Sequence, residues 1–415
     1  MRFLLLFLLL QVPGFSREYN QDLAQETFLH VWNKVNVSFY EESFNGVDWE
    51  KVKAKYEGKV AKAQSDKELR LILNQMLGEL KLSHFGVSKG SEQVAVVKKG
   101  GSYLGLELRM AKQQIFIFEV EQDSPADQAG LTPGMVLTSF EGEPMTDLIE
   151  DLELTPDSTP LQRLVAIRSL LGKISAPLDG KTTLGIASSK RIFDFKPGFY
   201  KGESGRMGSS DQIPVSFETR LTGADNNIRV IAFDVFLPQL MVRINQAIAK
   251  AHSEKAAGLI IDLRGNPGGI GFMANGIIGR LVSEELDLGD MNNTAGNIPF
   301  HAFPQKGAYL GPIAVLVDSF SASTSEIFAA ALQEHQRARI FGRSTTAAVL
   351  PSVIEKLPNG DNFQYAVGDF VTALKKVHLE GKGVLPDEVI PLNTTLLLEG
   401  KDPDLEAALS WLKTQ

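Results

Sequence analysis

The sequence contains no cysteine among its 415 residues, which excludes disulfide bonds, thiolate zinc sites and a cysteine nucleophile. Basic residues are not in excess either, since 42 Lys and Arg stand against 50 Asp and Glu. The net charge of −8 therefore argues against non-specific nucleic-acid binding. No apolar run in the body of the chain is long enough to span a membrane. The length predicts two or three domains of ordinary globular composition.

The first residues differ in composition from the rest of the chain. A basic start is followed by the apolar stretch 3–10 and then by Pro13 and Gly14. This pattern predicts a secretory signal over residues 1–16, with cleavage after Ser16. A buried first helix is the alternative, and the proline and glycine disfavour it. We therefore expect an exported protein, periplasmic or secreted, without a membrane anchor once the signal is removed.

Three regions follow this signal. Residues 17–95 predict a helical N-terminal region, because apolar side chains recur at a spacing of three and four, as from Leu69 to Leu80. Residues 96–200 alternate short strands with turn signals, and residues 201–415 alternate strands with helices. The chain is thus expected to be a mixed α/β protein of several domains.

The β-rich region 96–200 resembles a PDZ domain. The resemblance rests on Gly105, before an apolar strand, and on residues 124–134, where a proline opens and a glycine closes a short helix. Residues 145–175 depart from the pattern and suggest an insertion. The resemblance implies that the region binds the C-terminus of a polypeptide as an added strand.

The residues expected to bind that peptide form one loop and the start of the next strand: Tyr103, Leu104, Gly105 and Leu106. The short helix at 126–129 is expected to form the other wall of the groove and to favour small or aliphatic C-termini. A role as a spacer is the alternative.

Two buried strands in the last region each end in an unusual segment. The strand 258–264 runs into a glycine-rich turn, and the strand 313–318 runs into a serine-rich segment followed by a helix. A serine between a strand and a helix suits a hydrolase nucleophile, because the helix amides favour a developing anion. A simple helix cap is the alternative. The α/β-hydrolase elbow and the nucleotide-binding glycine patterns are both missing.

Together, the letters DLRGNPGG at 262–269 and SASTSE at 321–326 are similar to the carboxy-terminal processing proteases and the tricorn-type serine peptidases. The resemblance implies a serine endopeptidase with an α/β core of crotonase-like type and with Ser323 as nucleophile. It also implies an oxyanion hole formed by three residues: Gly268, Gly269 and Thr324.

The base is where this chain departs from the processing proteases proper, which use a serine–lysine pair. At the position of that lysine the sequence has Ala348, whose methyl group cannot accept a proton, and Lys356 lies eight residues further on. The tricorn-type branch instead uses a serine–histidine pair and a later glutamate, which Ser83, His84 and Glu380 resemble. A histidine base predicts a loss of activity as the pH falls through about 6–7.

Several alternatives remain open from the sequence. His378 is the one serious rival to His84 as the base. Glu326 could form hydrogen bonds near the site or serve as a cap or surface residue, whereas Arg264 is expected to form a structural ion pair. No metal or cofactor is expected, and the partners are polypeptides with free C-termini, with homo-oligomer formation left open. The second candidate function is an exported peptide-binding module whose peptidase site has decayed.

Overall fold

The computed structural model describes residues 19–89, 102–152, 159–175, 180–187, 191–199, 202–207 and 210–415. The expected signal, residues 1–16, lies outside the described residues. Within the described ranges, no helix combines the length and the apolar composition that a membrane crossing requires.

Three helices and a short strand form the first region: α1 (Gln21–Ser38), α2 (Trp49–Val60), α3 (Asp66–Gly78) and β1 (Gly86–Ser88). Each helix begins after a side chain that accepts a backbone amide, as N-caps do: Asn20, Asp48 and Ser65. The apolar stripe of α3 is buried against α1 and α2. All three helices lie within residues 17–95, where the spacing of apolar side chains predicted a helical region.

The second region contains small sheets and three helices among the residues that the structure describes. Its elements are β2 (Ser102–Tyr103), β3 (Leu106–Ala111), β4 (Gln114–Val120), α4 (Pro125–Gln128), β5 (Leu137–Phe140), β6 (Glu143–Pro144), α5 (Met145–Asp151), α6 (Pro160–Ser175), β7 (Thr182–Ile186), β8 (Arg191–Phe195) and β9 (Gly198–Phe199). β3 pairs with β4, β2 pairs with β9, and the larger sheet has the order β6-β5-β7-β8.

The segment 145–175, expected to be an insertion, forms α5 and α6 of this region. Apolar side chains of both helices are buried in the same hydrophobic cluster as those of β3, β4 and β7. On α6 the buried residues recur at helical spacing: Ala166, Ile167, Leu170 and Ile174. The segment is therefore part of the core of the region and not an addition to it.

The third region holds the remaining elements. They are β10 (Glu203–Met207), β11 (Ser210–Val215), β12 (Phe217–Thr222), β13 (Ile228–Phe233), α7 (Pro238–Ser253), β14 (Gly258–Asp262), α8 (Phe272–Ile278), β15 (Leu286–Asn293), β16 (Gly296–Ala302), β17 (Ile313–Val317), α9 (Thr324–Glu334), β18 (Arg339–Gly342), β19 (Ser352–Lys356), β20 (Asn362–Ala366), β21 (Gly368–Thr372), β22 (Glu388–Val389), α10 (Thr394–Leu398) and α11 (Pro403–Leu412).

A six-stranded sheet organises this region, in the order β12-β13-β14-β17-β18-β22. All neighbouring strands are parallel except β12 and β13. One face packs on α7, α8 and α9, and the other packs on α11. Because β14 and β17 are adjacent and parallel, the glycine-rich turn and the serine-rich segment that follow them emerge side by side.

A second, smaller sheet connects the first region to the third region. β1 pairs with β20, which pairs with β19, so the strand after α3 is held by a hairpin from the third region. The contact is reinforced by an ion pair between Arg70 and Asp361. The Ser83–His84 pair, just before β1, is thereby brought to the third region.

Candidate active site

Ser323 lies directly between β17 and α9, where the sequence placed a nucleophile. Its φ of 54° and ψ of −117° differ from the extended conformation of an ordinary N-cap residue. Such a backbone is strained for a residue with a side chain, and strain of this kind clusters at active sites. The neighbouring serines have structural roles, since the hydroxyls of Ser321 and Ser325 donate to the carbonyls of Leu263 and Asn266.

The glycine-rich turn lies against this serine. A Cβ on Gly268 would come within 2.7 Å of the Ser323 Cβ and 2.8 Å of the Thr324 nitrogen, and its φ is 96°. Only glycine meets both conditions. Gly269 has a φ of 141°, and its carbonyl accepts the Thr324 hydroxyl at 3.0 Å. The turn and the nucleophile loop thus form one packed unit.

Two of the three amides expected in the oxyanion hole have a suitable setting. Thr324 is the first residue of α9, so its N–H has no carbonyl within the helix to bind. Gly269 pairs with Phe236 in a short β-bridge. The Gly268 carbonyl accepts the Phe236 amide, and the Ile270 amide donates to the Phe236 carbonyl, so the Gly269 N–H takes no part in this bridge. The amide of Gly268 instead donates to Oδ1 of Asn266 at 2.9 Å. Its contribution is therefore to leave space and not to donate.

On the opposite side of the site, Glu380, Ser83 and His84 form a hydrogen-bonded chain. The Ser83 hydroxyl donates to Oε2 of Glu380 at 2.8 Å, and its oxygen lies 2.6 Å from Nδ1 of His84. The Ser83 hydroxyl has one proton, which it donates to Glu380. The hydrogen bond to His84 must therefore use a proton on Nδ1, with the Ser83 oxygen as acceptor. Nε2 is then left with a free lone pair, which is the state a general base requires. His84 has a φ of 60°, a second strained backbone at the site.

A single peptide unit joins the two sides. The carbonyl of Ala348 accepts the Ser323 amide at 2.8 Å, and the amide of Val349 donates to Oε2 of Glu380 at 2.9 Å. The four residues expected to be catalytic therefore belong to one connected network. The residue at the position of the family's lysine, Ala348, supplies this link through its backbone.

Burial controls the charge states in this network. It lowers the pKa of His84 to about 4, so the imidazole is neutral at pH 7. Burial raises the pKa of Glu380, while the amides of Val349 and Ser83 and the Ser83 hydroxyl act in the opposite direction. The expectation that His84 causes a loss of activity at pH 6–7 is thus revised toward lower pH.

The rival residues lie outside the network. The His378 side chain is 62% exposed and contacts Asp369. Lys356 lies at the exposed end of β19. Arg264 forms ion pairs with Asp262, Asp402 and Asp404, which confirms its structural role.

A buried carboxylate that the sequence analysis did not single out holds the two loops together. Asp318 accepts the amides of Gly265 and Phe320 at 2.9 and 3.0 Å and Nε of Arg109, on β3, at 2.7 Å. Although burial raises it, the charges of Arg109 and Arg343 hold the pKa of Asp318 well below its usual value. The two partners are 209 residues apart, so no local pattern could reveal the pair.

The residues expected to bind a peptide differ in their exposure: two have buried side chains, and one lines a cavity. The side chains of Leu104 and Leu106 are buried in the hydrophobic core of the second region, so only their backbone could meet a peptide. Gly105 has a φ of 72°, and a Cβ there would lie 2.2 Å from that of Ser124. Tyr103 lines an open cavity of about 920 Å³.

The sequence analysis predicted that the short helix α4 forms the wall of the groove opposite β3. The structure places α4 elsewhere. The amide of Ala126 donates to the carbonyl of Leu104, so α4 lies beside the loop. α4 borders the open cavity, which β8 also lines. The helix that packs along β3 is α6, because Arg168 reaches Glu107 at 3.1 Å.

Comparison with known proteins matches two parts of the chain to known families. The model of peptidase family S41 matches residues 228–390, which include the glycine-rich turn, Ser323 and Glu380, and the Tricorn protease C1 domain matches residues 21–78. Residues 228–390 are thus a peptidase domain of family S41. The chain is a serine peptidase that acts on polypeptides, as the DLRGNPGG and SASTSE segments together predicted.

Individual relatives extend the likeness over nearly the whole chain. The carboxyl-terminal-processing protease of Synechocystis sp. is 24% identical over 371 residues, which cover 88% of this chain and 81% of that protein. The photosystem II D1 C-terminal processing protease has a TM-score of 0.59 at 20% identity, covering 94% of this chain and 97% of the other. Mature CPAF complexed with lactacystin has a TM-score of 0.66 at 15% identity, with coverage of 95% and 98%. The structural matches show a shared mixed α/β fold.

Proposed function

We propose that this S41 peptidase hydrolyses peptide bonds with Ser323 as nucleophile and His84 as general base, with Ser83 and Glu380 holding the imidazole. The observation that carries the proposal is the hydrogen-bonded chain from Glu380 through Ser83 to His84, linked to Ser323 by the Ala348–Val349 peptide. A lysine base at position 348 is excluded by its methyl side chain.

The reaction follows from the atoms in place. The Ser323 oxygen bonds to the scissile carbonyl carbon while its proton passes to Nε2 of His84. The carbonyl oxygen becomes an oxyanion, which the amides of Gly269 and Thr324 would bind. The carbon–nitrogen bond then breaks as His84 returns the proton to the leaving amine. Water, deprotonated by the same imidazole, releases the acyl group from Ser323.

Glu380 explains how an imidazole of low pKa can serve as the base. The positive charge appears on His84 only as the proton moves. At that moment the carboxylate, one hydroxyl away, stabilises the imidazolium, as in extended forms of triad logic. A decayed peptidase acting as a peptide-binding module is not favoured, because nucleophile, base, carboxylate and glycines are all retained.

The nucleophile is tested with a fluorophosphonate probe. The parent protein should be labelled at Ser323, and Ser323→Ala should lose both labelling and hydrolysis of an unstructured polypeptide. Ser319→Ala, in the same loop, is the control and should behave like the parent. His84→Ala should reduce the rate about 10²–10⁴-fold. Labelling that persists in Ser323→Ala would refute the assignment.

We further infer that the PDZ-like region selects substrates by their free C-termini. β3 pairs with β4 alone among the described strands, so its other edge can accept an extended peptide. The positive φ of Gly105 shapes the loop before that edge, where amides could hold a carboxylate.

The strand order of the six-stranded sheet supports our further proposal of a crotonase-like core for the third region.

Two matched glycine variants test this recognition. Gly105 and Gly130 both have positive φ, of 72° and 80°, but a Cβ meets Ser124 at the first and open space at the second. Gly105→Ala should raise KM for a peptide with a free C-terminus, and Gly130→Ala should leave KM unchanged. Amidation of the peptide should raise KM of the parent enzyme. If neither Gly105→Ala nor amidation of the peptide changes KM, the recognition role is contradicted.

Export of the protein and formation of a homo-oligomer stay predictions.

A further inference from the structure

Glu326 lies one turn along α9 from Ser323 and is fully buried. Its Oε1 accepts the Thr345 hydroxyl at 2.5 Å and the Ala347 amide at 2.9 Å. Its Oε2 accepts the amides of Ser323 at 2.9 Å and Ala348 at 3.1 Å. A helix-capping role would require only the Ser323 amide. Three of the four donors come from a segment outside the helix, so capping does not account for the arrangement.

The segment that supplies these donors, residues 345–349, is the one that connects the two sides of the site. Glu380 holds it at the Val349 amide, and Ser323 donates to its Ala348 carbonyl. Ala347 has a φ of 63°, a left-handed conformation that costs energy for a residue other than glycine. Two carboxylates thus fix one strained segment, Glu326 from the nucleophile side and Glu380 from the histidine side.

On the basis of the catalytic roles proposed above, we propose that Glu326 is a positioning residue: it holds residues 345–348 against the start of α9 and so sets the spacing between Ser323 and the His84 side of the site. Glu326 does not touch the reacting atoms. Its effect reaches them through the Ser323 amide and through the Ala348–Val349 peptide.

The charge of this carboxylate matters to the arrangement. Four donors require an acceptor that carries no proton of its own. Burial raises the pKa of Glu326 to about 7, against the effect of its hydrogen bonds from Thr345, Ala348, Ala347 and Ser323. Gly383 also lies beside the carboxylate, since a Cβ there would come within 3.2 Å of Oε1. The groups that donate to the carboxylate are three amides and one hydroxyl. Across the connecting segment the titratable groups are His84 and Glu380.

Glu326→Gln tests the proposal in the full chain. The glutamine keeps the volume but places an NH₂ group against at least one N–H donor, whichever way the amide is turned. A buried donor left without an acceptor is costly. We expect kcat to fall about 10- to 100-fold and KM to change less than about threefold. The rate of fluorophosphonate labelling should fall in parallel. Glu334→Gln, at the other end of α9, is the matched control.

The pH profile separates positioning from a purely structural role. In the parent enzyme, activity should fall as the pH drops through about 7, because protonated Glu326 can no longer accept all four bonds. In Glu326→Gln this decrease should be missing between pH 6 and 8, since the amide does not titrate. A parent-like kcat and profile in Glu326→Gln would refute the proposal while leaving Ser323 and His84 in place. A loss that follows the melting temperature, with an unchanged pH profile, would also refute it. An active Ser323→Ala enzyme would instead overturn the proposed function, and this proposal with it.

Discussion

Replacing Glu380 with glutamine should weaken catalysis more than it weakens the fold. In the parent protein the carboxylate accepts the Ser83 amide at 2.7 Å, the Ser83 hydroxyl at 2.8 Å and the Val349 amide at 2.9 Å. Glutamine retains one oxygen acceptor, so hydrogen bonding to Ser83 is disturbed in either orientation. The variant also removes the negative charge that faces the imidazolium of His84 through one hydroxyl.

The magnitude follows from Coulomb's law. Across one hydroxyl the two charges are about 5 Å apart, and at an effective dielectric constant of about 20 their attraction is about 3 kcal/mol. This attraction exists only when the imidazole is protonated, so its loss raises the barrier and not the stability of the resting enzyme. A barrier higher by about 3 kcal/mol slows the reaction about 100-fold.

The assay is the steady-state hydrolysis of an unstructured polypeptide, with kcat and KM determined separately. Glu380→Gln should lower kcat about 100-fold with KM nearly unchanged. Glu399→Gln, which removes an exposed carboxylate paired with Lys401, is the matched control and should have parent kinetics. A decrease of less than about fivefold would show that the charge of Glu380 does not reach the imidazole, and would refute the reasoning.

Two further variants address the loops that hold the site. Gly268→Ala should abolish hydrolysis, because the new methyl would overlap the Cβ of Ser323 and the backbone has a φ of 96°; a kcat/KM within tenfold of the parent would contradict this. Arg109→Met should leave Asp318 as a buried charge without its β3 partner and reduce the free energy of unfolding by about 3–5 kcal/mol in urea denaturation. Arg220→Met, at an exposed ion pair, is the control for the second variant, and a loss below about 1 kcal/mol at Arg109 would speak against the buried pair.

Much of the fold could be predicted because its signals are local. The buried runs of β14 and β17 and the stripe of α3 depend on neighbours in sequence. The sequence analysis did not predict that α6 is a core helix, because the serine, threonine and proline before it are typical of a loop. The helical spacing of its buried residues was visible in the sequence.

The candidate site was predictable in its members but not in its connections. Ser323, His84 and Glu380 could be selected by resemblance and by the alanine at position 348. The burial that lowers the pKa of His84 and raises that of Glu326 comes from segments far away in sequence. Backbone links such as the Ala348–Val349 peptide leave no signature in side-chain identity. These contacts required the three-dimensional structure.

The pairing of β1 with β20 has a consequence for the synthesis of the enzyme. His84 emerges from the ribosome early, but the hairpin that holds β1 and the carboxylate of Glu380 that binds Ser83 are made about 270–300 residues later. A growing chain would therefore carry the proposed base, and later the proposed nucleophile, before the contacts that align them exist. We expect proteolytic activity to begin only after Glu380 has been translated and folded into place.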